Sequence, residues 1–167
     1  ICYHGDGAVD EGVYWESLNF ASLHKLPILF VCENNKYAIY THQRKRMLGD
    51  SISDRANSFG IKSFKVKGIS TEDFYNAAAN SLEKIKKDSG PMLIECSTTR
   101  WRDHVGPGED RHIKFRTDKE LDDAIKNDDL KRMEKLLSEE DVKNIKHEVN
   151  TKIDDAIKYS ERSSFPE

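Results

Sequence analysis

The sequence predicts an α/β protein with a largely parallel sheet and helices on both of its faces. Two apolar runs of strand length, Pro27-Ile28-Leu29-Phe30-Val31-Cys32 and Met92-Leu93-Ile94-Glu95-Cys96, mark strands buried on both sides, as in parallel sheets. Each follows a segment of helical spacing, and each of those follows a shorter strand-like run. The order β-α-β therefore occurs twice.

The first strand covers residues 1–4 and leads into the turn Gly5-Asp6-Gly7. A helix over 11–24 follows, with Tyr14, Trp15, Leu18 and Ala21 at helical spacing. Asp10 and Glu11 stand at its front and Lys25 at its back, as the helix dipole favours. The second strand is the run over 27–32, and it ends in Glu33-Asn34-Asn35. Phe64-Lys65-Val66 is a short third strand. Ser70 and Asp73 then give a capping signature for a helix that buries Phe74, Ala77, Ala78, Ser81, Leu82 and Ile85. Gly90-Pro91 closes that helix before the strand over 92–96.

Residues 99–116 are a loop rich in Arg, Asp, His, Gly and Pro, and so long a loop in a compact domain is usually functional. From Asp118 onward the chain is helical and highly charged. Ser138 and Asp141 form another cap, and Val142, Ile145, Val149, Ile153 and Ala156 make a narrow apolar stripe that fits either the domain or a partner. We assign 1–116 to the α/β region and 117–167 to a helical extension of the same domain. The chain opens inside a strand without Met and stops at Phe165-Pro166-Glu167, so it reads as a piece of a longer polypeptide.

Charged residues make up 34% of the 167 and hydrophobic ones 37%, so much of the charge must lie on solvated helix faces. A net charge of −3 argues against a dedicated nucleic-acid binder. No apolar stretch approaches a membrane span, and no signal peptide is visible. Cys2, Cys32 and Cys96 each sit in a strand-like run and read as small core residues in a reducing, cytoplasmic setting.

Asp6 and Asn35 each follow a strand, and ligands of parallel α/β sheets bind at the carboxyl ends of strands. Mg²⁺ takes oxygen ligands at about 2.1 Å and is commonly shared between protein oxygens and phosphates. Asp6 offers a charged oxygen, Asn35 a neutral one, and the Tyr37 carbonyl a third. Gly5 and Gly7 let backbone approach a phosphate, and the amides of Gly7 and Ala8 precede a helix, where anions are favoured. Asp and Asn also favour ordinary turns, which is the alternative assignment for both. His4 reads as a structural hydrogen-bonding group, since Mg²⁺ prefers oxygen. Gln43-Arg44-Lys45-Arg46 reads as a solvated loop near an anionic ligand. A dinucleotide fingerprint is disfavoured because Asp10 stands where its third glycine would fall.

Gly-Asp-Gly, a helix, an apolar strand and Asn-Asn together resemble the thiamine-diphosphate motif. The longer string Gly5-Asp6-Gly7-Ala8-Val9-Asp10-Glu11-Gly12, with Glu16-Ser17-Leu18-Asn19 and Leu26-Pro27 to Asn35, is similar to the alpha subunit of the decarboxylating component of 2-oxo acid dehydrogenase complexes, the pyruvate, branched-chain and acetoin group. The resemblance implies a thiamine-diphosphate-binding fold, incomplete at its N-terminus. It implies Mg²⁺ on Asp6, Asn35 and the Tyr37 carbonyl, with Gly5, Gly7 and Ala8 along the diphosphate and Ile39 near the cofactor. Arg100-Trp101-Arg102-Asp103-His104 resembles the family's segment leading to an active-site histidine, which makes His104 the catalytic candidate. A solvated loop histidine is the alternative.

The implied partners are a beta subunit in a heterotetramer, a lipoyl acyltransferase core and a small 2-oxo acid. The glutamate that activates the cofactor would come from the beta subunit. Asp103 stands where pyruvate enzymes often have Gly, and Val105 where regulated animal enzymes carry a phosphorylatable serine. The first departure leaves open a thiamine-diphosphate enzyme of a specialised sugar or polysaccharide pathway that uses no lipoyl complex.

Overall fold

The structure, a computed structural model, describes residues 1–66, 70–87 and 90–166. It divides into two compact units, Ile1–Asp128 and Asp129–Glu167. In the first, β1 (Cys2–Gly5) runs into a 3₁₀ turn, Asp6–Asp10, and then α1 (Gly12–Leu23). β2 (Leu29–Asn34) is followed by a hairpin of two short strands, β3 (Tyr37–Ala38) and β4 (Thr41–His42). Next come a 3₁₀ turn, Gln43–Lys45, α2 (Ile52–Asn57), β5 (Lys62–Val66), α3 (Thr71–Lys86) and β6 (Met92–Ser97). A 3₁₀ turn at Asp110–Ile113 and α4 (Asp118–Lys126) complete the unit. The second unit holds α5 (Asp129–Glu134) and α6 (Glu139–Arg162).

Among the described residues, four strands pair in the order β1-β2-β6-β5, and every pairing is parallel. The chain steps in one direction from β1 to β2 and in the other from β5 to β6. Crossovers of one hand therefore place α1 and α3 on opposite faces. The core shows this division. Phe30 and Cys32 of β2 and Leu93 of β6 pack with Val9, Leu18, Ala21, Ile52 and Ala56. Leu29, Val31, Met92, Ile94 and Cys96 pack on the other side with Val66 and Ile85, and with Phe74, Ala77, Ala78 and Leu82 of α3. Alternate residues of one strand thus enter two cores, which is why the runs over 27–32 and 92–96 lack polar alternation.

Ser70 caps α3 by accepting from the Asp73 N–H at 3.2 Å, and Ser138 caps α6 in the same way at 3.1 Å. The acidic front expected of the first helix is displaced: Asp10 closes the 3₁₀ turn and Glu11 is the N-cap of α1. Cys32 and Cys96 are buried, but Cys2 is exposed, against expectation, because β1 pairs on one side with β2 and carries few covering residues. No residue of α6 is buried. Among the described residues, no helix is long and apolar enough to cross a membrane.

Candidate functional site

Because the strands are parallel, Gly5, Asn34, Val66 and Ser97 all end at one edge of the sheet. Gly5 is level with Glu33 in the β1–β2 ladder. Asp6 and Asn35 therefore leave neighbouring strands within a residue of the same height, on strands about 4.8 Å apart. Gly7 fixes how closely the two loops meet. A Cβ added there would lie 3.0 Å from the Ala38 Cβ, so a side chain at position 7 would push the hairpin after Asn35 away from the Asp6 turn. At Gly5 an added Cβ would meet nothing within 4 Å, which leaves open space beside the turn. Ala8 is exposed on the same turn.

The Asp6 carboxylate is buried at 1% exposure, and its Oδ2 accepts from Arg46 Nη2 at 2.5 Å. The second guanidinium nitrogen of Arg46 donates to Asp10 Oδ2. The basic cluster is solvated only in part: Arg44 and Lys45 are exposed, as expected, whereas Gln43 is buried and the Arg46 side chain is 11% exposed. Asn35 Oδ1 accepts the Tyr37 N–H at 2.9 Å, and Asn34 Oδ1 accepts that of Lys36 at 2.9 Å. These side-chain turns hold the backbone as it leaves β2. Lys36 and Ile39 adopt positive φ of 68° and 54°. In a β-branched residue such as Ile39, that conformation is strained, by about 1–2 kcal/mol.

Beneath the Asn pair lies a buried carboxylate that the sequence reading left unremarked. Glu95 accepts from Asn34 Nδ2 at 2.8 Å and from the Ser53 N–H at 2.9 Å, with Lys65 Nζ 3.5 Å away. Its one visible sign is a single charge inside the apolar run over 92–96.

His104 is exposed in the loop after β6. That loop is folded on itself by Asp103 N–H donating to the Gly108 carbonyl at 3.0 Å and by Arg102 donating to the Pro107 carbonyl at 3.1 Å. Arg100 ties it to the hairpin, donating to the Ile39 carbonyl at 3.1 Å. The structure thus links the His104 loop to the segment carrying Asn35, Tyr37 and Ile39. Tyr37 stacks edge-on against Phe115 and His42, and its hydroxyl reaches Glu120 at 3.4 Å. Burial and the nearby Glu120 raise the Tyr37 pKa. A cavity of about 270 Å³ opens between these elements, lined by Asn34, Asn35, Lys36, Tyr37, Ser97, Thr98, Thr99, Arg116 and Glu120.

His4 takes the structural role expected of it. Its Nε2 is 3.2 Å from the Tyr14 hydroxyl, and its Nδ1 lies 3.2 Å from the Gly5 carbonyl. Burial lowers its pKa, against smaller raising effects from Gly5 and Glu33. Burial also holds both enclosed thiols protonated, pushing Cys96 up to about 11 and Cys32 higher still.

The sequence pattern of the family described as Dehydrogenase E1 component matches residues 1–167. The chain belongs to the dehydrogenase E1 component family. Its E1 relatives include the pyruvate dehydrogenase E1 component subunit alpha of Rickettsia felis, 31% identical over all of this chain and 53% of that protein. Another is the 2-oxoisovalerate dehydrogenase subunit alpha of Bacillus subtilis, 36% identical over 81% of this chain and 40% of that one. The chain spans about half the length, or less, of these curated E1 alpha subunits. Among solved structures, a transketolase from Pichia stipitis aligns over 78% of the chain and 23% of its own, with TM-score 0.52 and 20% identity. A transketolase from Leishmania mexicana aligns over 57% of the chain and 14% of its own, with TM-score 0.50 and 21% identity. These two likenesses establish the α/β fold of the E1 chain. The family match agrees with the resemblance read from Gly5-Asp6-Gly7 and Asn34-Asn35.

Proposed function

We propose that the parent protein is the alpha subunit of a thiamine-diphosphate- and Mg²⁺-dependent 2-oxo acid dehydrogenase that works with a beta subunit. The observation carrying this reading is the register of β1 and β2, which sets the Asp6 turn beside the Asn35–Ala38 segment, with Gly7 against Ala38. The donor set suits Mg²⁺: a carboxylate, a carboxamide and the Tyr37 carbonyl are all hard oxygens. Each of these oxygens has more than one acceptor site, so the bonds from Arg46 and from the Tyr37 N–H still leave capacity for a cation.

In this reading Asp6, Asn35 and the Tyr37 carbonyl hold the metal, while Gly5, Gly7 and Ala8 border the diphosphate. When bound, thiamine diphosphate supplies a nucleophilic carbon and an electron sink for loss of CO₂ from a 2-oxo acid. Ile39 lies beside the cofactor, and its left-handed backbone presents its carbonyl to Arg100. His104, on the loop Arg100 anchors, donates a proton to the substrate's developing oxyanion or stabilises its charge. Pyruvate and branched 2-oxo acids are the substrate class, in line with the names of the two relatives. A lipoyl disulfide would then be the oxidant and acceptor: one sulfur would take the acyl group as a thioester and the other would be released as a thiol.

The test is reconstitution of the full alpha–beta assembly with thiamine diphosphate and Mg²⁺. Release of CO₂ from pyruvate or a branched 2-oxo acid, with acylation of a lipoyl domain, is the expected result. His104→Ala should lower turnover by about 10²-fold or more. CO₂ release without lipoyl acylation would replace the lipoyl-linked reading with a specialised sugar or polysaccharide pathway. Absence of cofactor binding would remove the reading altogether.

A further inference from the structure

Arg46 is placed where a metal bound to Asp6 would meet it. Its guanidinium donates to three acceptors: Asp6 Oδ2 at 2.5 Å, Asp10 Oδ2, and the Thr41 carbonyl at 3.1 Å. The turn Gln43–Lys45 delivers it, with the Arg46 N–H bonded to the Gln43 carbonyl at 3.0 Å and Met47 buried behind it. The side chain is 11% exposed and Asp6 is 1% exposed, so water screens this pair poorly. One positive charge thus already sits on the carboxylate assigned to the metal.

We propose that Arg46 is a resident counter-cation of Asp6 that opposes binding of free divalent metal, so that metal binds well only together with a diphosphate. The proposal rests on the reading of Asp6 as a metal ligand. A divalent cation on Asp6 without a companion anion faces the guanidinium at close range. It must bind against that repulsion or break a charge-assisted, partly buried pair. A diphosphate brings the negative charge that lets both cations stay. Metal and diphosphate therefore raise each other's affinity, by the same factor in each direction. Asp10 tightens the arrangement by holding the second nitrogen of the guanidinium.

The test uses the alpha–beta assembly stripped with a chelator. Mn²⁺ is titrated calorimetrically, alone and in the presence of thiamine diphosphate, into the parent and Arg46→Gln proteins. Arg46→Gln should bind Mn²⁺ alone at least tenfold more tightly, and the factor by which thiamine diphosphate improves Mn²⁺ binding should shrink to match. Unchanged or weaker binding of Mn²⁺ alone overturns the proposal, because a merely structural Arg46 would loosen Asp6 and weaken every titration. Arg46→Lys keeps the charge and should stay within threefold of the parent; Gln-like behaviour of the Lys variant also overturns it. If Arg46→Gln does not fold, Asp10→Asn leaves the guanidinium charge less neutralised and should weaken binding of Mn²⁺ alone, with unchanged or tighter binding counting against the proposal. Asp6→Asn separates the two levels. Loss of Mn²⁺ binding with thiamine diphosphate present keeps Asp6 as a ligand whatever Arg46 does, whereas its persistence defeats the site reading itself.

Discussion

The placement of Asp6 and Asn35 at one edge of the sheet was legible in the sequence because each follows a strand-like run. Arg46 was not, because its partner lies 40 positions upstream and its neighbours Arg44 and Lys45 make it look like part of a solvated basic run. Only the fold brings the two charges together. His4 shows a residue whose role does carry a pH signature. Its folded pKa lies below the ordinary 6.5, chiefly because burial beside Tyr14 disfavours the charged ring. The unfolded chain therefore binds more protons in the window below about 6.5, and stability falls as pH drops through it. Above 6.5 the contribution is complete. Thermal melting from about pH 7.5 down to about pH 5 should show the parent losing stability faster than His4→Gln over this window. Identical slopes would mean that His4 is not the titrating group.

At the scale of elements, the long helices were readable from their repeat and the two central strands from unbroken apolar runs. The β3–β4 hairpin was missed: each strand has two residues, and its left-handed positions are taken by Lys36 and Ile39, where glycine or asparagine would have signalled a turn. α2 was missed as well, since six residues give under two helical turns of pattern. The hairpin nevertheless organises the site, joining the Asp6 turn through Gly7 and the His104 loop through Arg100. Arg100→Ala should release that loop while leaving the sheet intact. We expect faster proteolysis within residues 100–108 and a several-fold rise in KM for the proposed 2-oxo acid substrate, with Tm nearly unchanged. Unaltered proteolysis and kinetics would show that the Arg100–Ile39 bond does not hold the loop.

Across the whole α/β unit, the two-sided core explains why function gathers at one edge. Both faces are consumed by packing, so the carboxyl ends of the parallel strands are where polar side chains converge. Glu95 is the exception inside. It lies on the α2 face of β6 and ties that strand to β2 through Asn34, to α2 through the Ser53 N–H, and to β5 through Lys65. Removing it leaves the buried Asn34 and Ser53 donors without this acceptor and unpairs the partly exposed Lys65, so Glu95→Leu should cost about 3 kcal/mol in denaturant unfolding. A loss below about 1 kcal/mol would reduce this network to incidental contacts.

In the proposed site an oxygen from the turn after β1 and an oxygen from the turn after β2 grip one divalent ion. Anomalous diffraction from Mn²⁺ in crystals of the alpha–beta assembly with thiamine diphosphate tests it directly. A single peak is expected at about 2.1–2.3 Å from side-chain oxygens of both Asp6 and Asn35, with the Tyr37 carbonyl completing the protein's share. A peak bound by neither residue, or by one without the other, would contradict it.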